Sequence, residues 1–230
     1  MSGSRATLSR AYDATWGRLF ASLYDRMLAA SEEAGLGERR ERLLAEASGR
    51  TLELGAGTGV NLAHYPGAVS ELILTEPFEP MAKQLRERVA ASGRKARVVV
   101  APAERLPVED ASIDTVVVTL VLCTVDDLPA TLAEVDRVLK PGGRLLFMEH
   151  VRSPDDPRLA RRQDRFERPW KFVGHGCRCN RDTVASLEAS PLVVEELERG
   201  RTPKAPEITK PLVQGVAVKP GRPSTTEADQ

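Results

Sequence analysis

The sequence predicts an α/β fold in which helices cover both faces of a largely parallel β-sheet. Three observations support this: a length of 230 residues, an alternation of strand-like and helix-like segments, and a glycine-rich turn after the first strand-like segment. The strand-like segments are continuous Val- and Leu-rich runs, as in strands buried on both faces. They lie at 51–54, 71–75, 96–101, 113–123 and 143–151, and most are separated by helical stretches, notably 79–91 and 127–139. A chain of this length can bury a sizeable core, so we expect a single domain over residues 1–219.

The N-terminal segment, about 11–47, is expected to be helical. Apolar side chains recur there at spacings of three and four residues, which is typical of an amphipathic helix. They are Trp16, Leu19, Phe20, Leu23, Tyr24, Met27 and Leu28. This helix is predicted to end near Gly35 and Gly37, and a second, charged helix follows. Packing against the core is the main expectation for the first helix, with substrate contact, a dimer interface and a membrane surface as alternatives.

The segment 152–180 departs from the alternating pattern and is expected to be a helical insertion after the fifth strand. Residues 152–181 hold nine Lys/Arg and four Asp/Glu. Five arginines fall on or close to one helical face: Arg158, Arg161, Arg162, Arg165 and Arg168. Such a stripe can bind an acidic substrate, can make peripheral contact with lipid head groups, or can be a solvated face. A short helix at 181–189 and strand-like runs at 191–197 and 212–218 follow, and the Pro/Ser/Thr-rich tail 220–230 is expected to be disordered.

The composition argues against several classes of function. The 33 Lys/Arg balance the 33 Asp/Glu, and only 4% of residues are aromatic, so a nucleic-acid partner is not expected. No apolar run approaches the roughly 20 residues that span a bilayer, and the first residues lack the apolar core of a secretion signal. Three cysteines are too few for a disulfide scaffold. We therefore expect a cytoplasmic protein without a transmembrane segment, and the oligomeric state stays open.

The glycine-rich turn is the first candidate binding site. The run Thr51–Leu54 leads directly into glycines at 55, 57 and 59. Glycines between a strand and a helix let the backbone approach a ligand closely. The dinucleotide fingerprint would place another glycine at position 60, where this chain has Val60. The spacing therefore favours a nucleoside ligand without a pyrophosphate, and a tight turn without any ligand is the alternative.

Glu76 is the second candidate, because it ends the next strand-like run. A carboxylate about 20 residues after the glycines can accept hydrogen bonds from both hydroxyls of a ribose. The alternative is a carboxylate that caps the following helix. The glycine turn and Glu76 support each other, since neighbouring parallel strands end at the same edge of a sheet.

In this order the motifs resemble the class I S-adenosylmethionine (SAM) dependent methyltransferases. The matching segments cover about residues 50–150 and are Leu52–Gly59, Glu76, Ala103–Pro107, Ser112–Val117 and Arg137–Gly143. The resemblance implies a Rossmann-like, doubly wound sheet of seven strands with the last pair antiparallel. It also implies SAM as cofactor, S-adenosylhomocysteine as product, and N-terminal helices that cover the active site.

The resemblance assigns the cofactor site residue by residue. The residues expected to contact SAM are Glu53, Gly55, Ala56, Gly57, Thr58, Gly59, Asn61, Glu76, Pro77, Met81, Ala103, Glu104 and Leu120. Many relatives carry an aspartate for the adenine amino group at the position of Pro102. We expect Ala103 and Glu104 to contact the adenine base here. The alternative is that Glu104 is a solvated carboxylate at the start of a helix.

Within this superfamily the chain is most similar to the methyltransferase-like thiol S-methyltransferases. The supporting segments extend the resemblance to about 170 residues and are Thr119–Cys123, Phe147–Val151, Pro169–Trp170, Gly176–Cys177 and Gly215–Lys219. Members of that family begin with a hydrophobic anchor, which this sequence lacks. An alkyl thiol is thus the first candidate acceptor, apolar or anionic. N-, C- or O-methylation of a lipid or quinone is the alternative, and a non-catalytic SAM-binding module is a further one.

Two histidines are candidates for binding the methyl acceptor or removing its proton. His150 ends the fifth strand, facing the crevice where such sheets bind ligands, and His175 lies near Trp170 in the insertion. A histidine can take a proton from an acceptor that arrives protonated. For each, a structural role is the alternative. His175, Cys177 and Cys179 alternate like metal ligands, but without a second ligand pair we expect no metal. We interpret Cys123, beside the crevice, as a small buried hydrophobe, with a thiol that lines the cavity as the alternative.

Overall fold

The computed structural model describes residues 12–221, in which seven strands form one sheet of order β3-β2-β1-β4-β5-β7-β6. Strands β1 to β5 run parallel to one another, and β7 is antiparallel to both of its neighbours. The strands are β1 (Gly49–Leu54), β2 (Val69–Thr75), β3 (Arg97–Val99), β4 (Ile113–Thr119), β5 (Leu139–His150), β6 (Val193–Arg201) and β7 (Pro211–Val218). The predicted Rossmann-like sheet with an antiparallel last pair is confirmed. The predicted disordered tail falls almost wholly on residues 222–230, outside the described residues.

Six α-helices flank this sheet within residues 12–221. They are α1 (Arg18–Ser31), α2 (Gly37–Leu44), α3 (Glu79–Ser92), α4 (Leu128–Val138), α5 (Pro157–Val173) and α6 (Thr183–Glu188). A π-helical turn, Asp13–Gly17, leads into α1, and a second one, Glu32–Leu36, joins α1 to α2. Gly35 interrupts the helix where the sequence predicts its end, because it has φ 120°, outside the helical range, and the second helix, α2, begins at Gly37.

Apolar side chains fill the space on both faces of the sheet. Along β4, Val116 and Val118 belong to a core with α4 and α6, whereas Val117 belongs to a second core with α2 and α3. The alternation follows from the two-residue period of a strand. The continuous apolar runs of the sequence are therefore explained by burial on both sides.

The segment Arg137–Gly143 differs from its prediction. The sequence indicates a helix that Pro-Gly-Gly ends before the next strand, whereas α4 already ends at Val138 and β5 begins at Leu139. Pro141 disfavours a helical conformation for the residue before it, so the chain is extended from Leu139 onward. Within β5, Gly142 has φ 77°.

The carboxyl ends of β1, β4 and β5 lie together in the middle of the sheet, because these three strands are adjacent and parallel. Their last residues are Leu54, Thr119 and His150. In doubly wound sheets ligands bind in the crevice outside these ends. No helix within residues 12–221 is long and apolar enough to cross a membrane.

Gly215 in β7 permits the close approach of β6, and its replacement gives a stability prediction. A Cβ atom at Gly215 would lie 1.9 Å from the carbonyl oxygen of Glu196 and 3.1 Å from Phe147 Cζ. The backbone carbonyl of Glu196 cannot move aside as the end of a flexible side chain can. We therefore expect Gly215→Ala to lower the free energy of unfolding by about 3 kcal/mol or more. Urea denaturation measures this loss. Gly67→Ala is the matched control, since its Cβ would meet nothing within 4 Å, and equal midpoints for the two variants would contradict the prediction.

Candidate cofactor and acceptor site

The glycine loop leaves β1 in a conformation that glycine favours. Gly55 and Gly57 both have φ 57°, and Gly59 has φ 89°. A Cβ atom at Gly55 would lie 2.7 Å from the side chain of Val121, so glycine is required there by space as well as by φ. The loop leads into a single 3₁₀ turn, Val60–Ala63, rather than into the helix that the sequence predicts.

Glu76 lies against the glycine loop, as the sequence predicts. Its side chain is buried, and its carboxylate accepts hydrogen bonds from the backbone N–H of Gly57 at 2.9 Å and of Phe78 at 2.8 Å. Burial raises the pKa of Glu76, and these two hydrogen bonds oppose the rise. An ionised carboxylate has about four acceptor positions, so two remain for the hydroxyls of a ribose.

Glu53 is the centre of a buried polar network beside the loop. Asn61 Nδ2 and the Tyr65 hydroxyl each donate to its carboxylate at 2.7 Å. Burial raises the pKa of Glu53 to about 7. Arg40, which the sequence did not single out, donates to Asn61 Oδ1 and, at 3.1 Å, to Thr119 Oγ1. This network joins the ends of β1 and β4 to helix α2.

Helix α1 covers the glycine loop. The ring of Tyr24 lies 3.9 Å from where a Gly57 Cβ would be, and Asp25 accepts a hydrogen bond from Thr58 and pairs with Arg88. Among the residues of α1 only Ala21 and Ser31 are buried, which does not fit the expectation that α1 packs against the core. A small cavity between α1 and the loop is lined by Tyr24, Leu28, Arg40, Glu53, Gly55, Ala56, Gly57, Val60, Asn61 and Thr119.

Glu104 binds backbone N–H groups at the start of α4. Its carboxylate accepts the backbone N–H of Asp126 at 3.0 Å and of Asp127 at 3.3 Å, so it holds the start of α4. Ala103 is buried in the core beside it. Of the other expected cofactor contacts, Met81 is buried and Pro77 is exposed.

A loop of residues 120–124 follows β4 and forms the other wall of the crevice. Leu120 has φ 59°, a conformation that is strained for a residue with a side chain. Glu149, fully buried at the end of β5, holds this loop by accepting three backbone N–H groups, from Val121 at 2.7 Å, Leu122 at 2.9 Å and Cys123 at 3.3 Å. Burial raises the pKa of Glu149 to about 7. This role was not among the sequence predictions, although a lone glutamate in an apolar strand such as Phe147–Val151 is a signal for it.

His150 lies at the end of β5, as expected, but its ring faces two sulfur atoms. Its Nε2 is 3.1 Å from Cys177 Sγ and 3.6 Å from Cys123 Sγ. Burial disfavours the imidazolium, but the neighbouring Cys177 sulfur outweighs it and raises the pKa of His150 to about 9. Cys177 also accepts a hydrogen bond from Trp170 Nε1 at 3.0 Å. Cys123 is thus part of a polar cluster and not merely a small buried hydrophobe.

His175 lies apart from that cluster, among aromatic rings. Its ring centroid is 4.7 Å from Phe78, 5.3 Å from Phe20 and 5.7 Å from Tyr12. Burial lowers the pKa of His175. Its Nε2 is buried and has no hydrogen-bond partner in the described chain, with Asp13 Oδ1 3.8 Å away. The alternating set His175, Cys177 and Cys179 is not brought together, since Cys179 Sγ contacts the Gln163 carbonyl.

The insertion helix α5 contacts the N-terminal segment. The Tyr12 hydroxyl donates to the Phe172 carbonyl at 2.6 Å, and Trp16 Nε1 donates to the Val173 carbonyl at 3.2 Å. The aromatic rings around His175 come from the N-terminal segment (Tyr12 and Phe20) and from Phe78, which follows β2. The arginine stripe lies on the exposed face of α5, and each of its five members is exposed.

Comparisons with known proteins agree with this geometry. Residues 52–147 match the family described as "Methyltransferase domain". The human thiol S-methyltransferase TMT1B is 39% identical over 181 residues, which are 76% of this chain and 74% of that protein. The ubiquinone/menaquinone biosynthesis C-methyltransferase UbiE of Proteus mirabilis is 36% identical over 149 residues, 60% of this chain and 58% of that protein.

Among solved structures, a SAM-dependent methyltransferase from Thermotoga maritima, described as a possible histamine N-methyltransferase, has the same fold. It superposes with a TM-score of 0.66 at 23% identity, and the match covers 89% of this chain and 98% of that one. At this identity the match supports the Rossmann-like fold of this chain.

Proposed function

Because the chain belongs to the SAM-dependent methyltransferase family that includes the thiol S-methyltransferases, we propose that it methylates the sulfur of a small apolar thiol. SAM is its methyl donor, and S-adenosylhomocysteine is the product. The observation that carries the choice of a thiol is the similarity to TMT1B across three quarters of both chains, because the similarity to UbiE covers less of each.

The cofactor is proposed to lie between the glycine loop and α1. Glu76 would accept hydrogen bonds from the ribose hydroxyls, and the backbone of residues 55–59 would approach the cofactor closely. The network around Glu53 and Asn61 would line the methionine end, and Leu120 would lie beside the methyl group. Ala103 and Met81 would contact the adenine, while Glu104 positions the start of α4. Pro77 is the last of the residues that we expect to contact SAM.

The acceptor is proposed to enter under the aromatic rings of Tyr12, Phe20 and Phe78. These rings favour an apolar acceptor, and the arginines of α5 are exposed on the outside of the protein. Methyl transfer then forms a bond between the acceptor sulfur and the methyl carbon and breaks the bond between that carbon and the sulfonium sulfur, while the thiol gives up its proton to water. The protein has to align the three atoms and exclude water, so positioning supplies most of the catalysis.

His175 is proposed to hold the acceptor, because its Nε2 is buried without a hydrogen-bond partner in the described chain. We expect His175→Ala to lower kcat/KM for a thiol about tenfold, the value of one buried hydrogen bond, and to leave SAM affinity unchanged. Steady-state kinetics together with calorimetry measure both quantities. His64→Ala, which removes a histidine beside the glycine loop, is the matched control. Equal kinetics for the two variants would refute this role for His175.

The identity of the acceptor is tested with SAM that carries a deuterated methyl group. The purified protein is incubated with an alkanethiol, a hydroquinone, or phosphatidylethanolamine vesicles, and products are identified by mass spectrometry. We expect a deuterated methyl thioether from the alkanethiol alone. Transfer to the hydroquinone or the lipid without transfer to the thiol would contradict the proposal.

Peripheral membrane contact through Arg158–Arg168 and a cytoplasmic location remain predictions. The five arginines are exposed on one helix, which supports electrostatic contact with anionic head groups. Cell fractionation tests the location, and sedimentation with anionic vesicles at increasing salt tests the contact.

A further inference from the structure

Three potential metal ligands converge at the acceptor end of the crevice. Cys123 lies in the loop 120–124 after β4, His150 is the last residue of β5, and Cys177 follows α5. One ligand atom from each lies within 4.8 Å of the other two. Both cysteines are buried. Residues from three separate elements thus place two sulfur atoms and one ring nitrogen around a common point.

The spacing of these atoms is close to that of a tetrahedral zinc site. With Zn–S bonds of about 2.3 Å and Zn–N bonds of about 2.0–2.1 Å, a tetrahedron places sulfur and nitrogen roughly 3.5 Å apart. The separation of His150 Nε2 from Cys123 Sγ is 3.6 Å, and from Cys177 Sγ it is 3.1 Å. The two sulfur atoms lie within 4.8 Å of each other, against about 3.8 Å in such a tetrahedron. Movement of the cysteine side chains by up to about an ångström would therefore complete three of the four positions.

The donor atoms and their surroundings fit Zn²⁺. Thiolate and imidazole ligands suit zinc, and two thiolates with one neutral imidazole balance its charge of +2. Trp170 Nε1 donates to the Cys177 sulfur at 3.0 Å, so this sulfur already acts as an acceptor. Hydrogen bonds from outer residues to metal ligands are a general feature of such sites.

The cluster also adjoins the cofactor loop. Val121, two residues before Cys123, contacts Gly55, and Glu149 fixes the backbone of Cys123. His175, two residues before Cys177, belongs to the aromatic wall over the crevice. An ion at this cluster would therefore lie where an acceptor meets the methyl group.

We propose that Cys123, His150 and Cys177 bind one Zn²⁺ ion and that the acceptor sulfur occupies its fourth position. This inference rests on the proposed function and makes His150 a metal ligand rather than a base. The thiol loses its proton to water as its sulfur binds zinc, because a metal-bound thiol is deprotonated. The sulfur then forms its bond to the methyl carbon while the bond from that carbon to the sulfonium breaks. The neutral thioether is a weaker ligand and leaves.

Metal content tests the site without any assay of activity. The full chain is purified without a histidine tag and its zinc is measured by elemental mass spectrometry. We expect about one zinc ion per chain, and less than about a tenth of that in Cys177→Ser and Cys123→Ser. Cys179→Ser is the matched control and keeps its zinc, since Cys179 is buried nearby but outside the cluster. Circular dichroism establishes which variants fold.

Cobalt substitution tests the fourth position. Co²⁺ bound to two thiolates gives charge-transfer absorption, and its visible bands report the coordination sphere. We expect these bands in the wild type and in Cys179→Ser, and a change in them when an alkanethiol is added without SAM. No stoichiometric metal in folded wild type would overturn the site and leave a metal-free histidine–cysteine pair. Metal binding without a change on adding thiol would overturn the role in binding the acceptor. Failure of the proposed function is separate, because it would appear as a zinc-loaded protein that methylates no thiol.

Discussion

Replacing Glu76 with alanine is expected to weaken SAM binding about 100-fold. The carboxylate would accept two hydrogen bonds from the ribose, and hydrogen bonds to charged groups contribute about 1.5–3 kcal/mol each. A loss of about 3 kcal/mol corresponds to roughly a 100-fold change in Kd. The same substitution removes the acceptor for the backbone N–H of Gly57, so the glycine loop would also lose its support. Isothermal titration calorimetry with SAM measures the change.

Glu71→Ala is the matched control for this prediction. Glu71 lies in β2, the strand that Glu76 follows, and is exposed near the opposite end of that strand, where it pairs with Arg50. We expect Glu71→Ala to bind SAM like the wild type. Glu76→Gln keeps one carbonyl acceptor and should lose affinity by an intermediate factor. Wild-type affinity in folded Glu76→Ala would mean that Glu76 only caps the chain after β2.

Replacing Glu149 with alanine is expected to destabilise the fold by about 3–5 kcal/mol. Three backbone N–H groups in the loop 120–124 would lose their acceptor, and each unsatisfied buried group costs about 1–3 kcal/mol. The high cost of burying the carboxylate, seen in its raised pKa of about 7, offsets part of the loss. The loop that carries Leu120 and Cys123 would no longer be fixed, so methyl transfer should fall as well.

Urea denaturation and SAM-dependent turnover test this prediction together. Glu195→Ala is the matched control, because Glu195 is exposed on β6. We expect the control to unfold at the wild-type urea concentration. If Glu149→Ala also did so, the three hydrogen bonds would not hold the loop.

The sequence predicts the central fold well because its signals are local. The Val- and Leu-rich runs reveal strands buried on both faces, and the glycine spacing reveals a turn that approaches a nucleoside. Glu76 could be found because its position at the end of β2 follows from strand order alone. The seven-stranded arrangement with its antiparallel last pair came from the family resemblance, since the pattern shows only five parallel-type strands and two later ones.

Features that depend on distant contacts could not be predicted in this way. Cys123, His150 and Cys177 meet only because two strand ends and the segment after α5 converge, and no spacing in the sequence records this. Glu104 matches a family position, yet its hydrogen bonds to residues 126 and 127 depend on how α4 packs.

A crystal structure of the protein with S-adenosylhomocysteine would show directly whether the glycine loop and Glu76 bind the cofactor. We predict electron density for the product between the glycine loop and α1, with both ribose hydroxyls on Glu76 and the sulfur atom facing Leu120. Such a structure would place the acceptor beside the ends of β4 and β5. Density for the product elsewhere, or a glycine loop that stays empty at saturating product, would contradict the account.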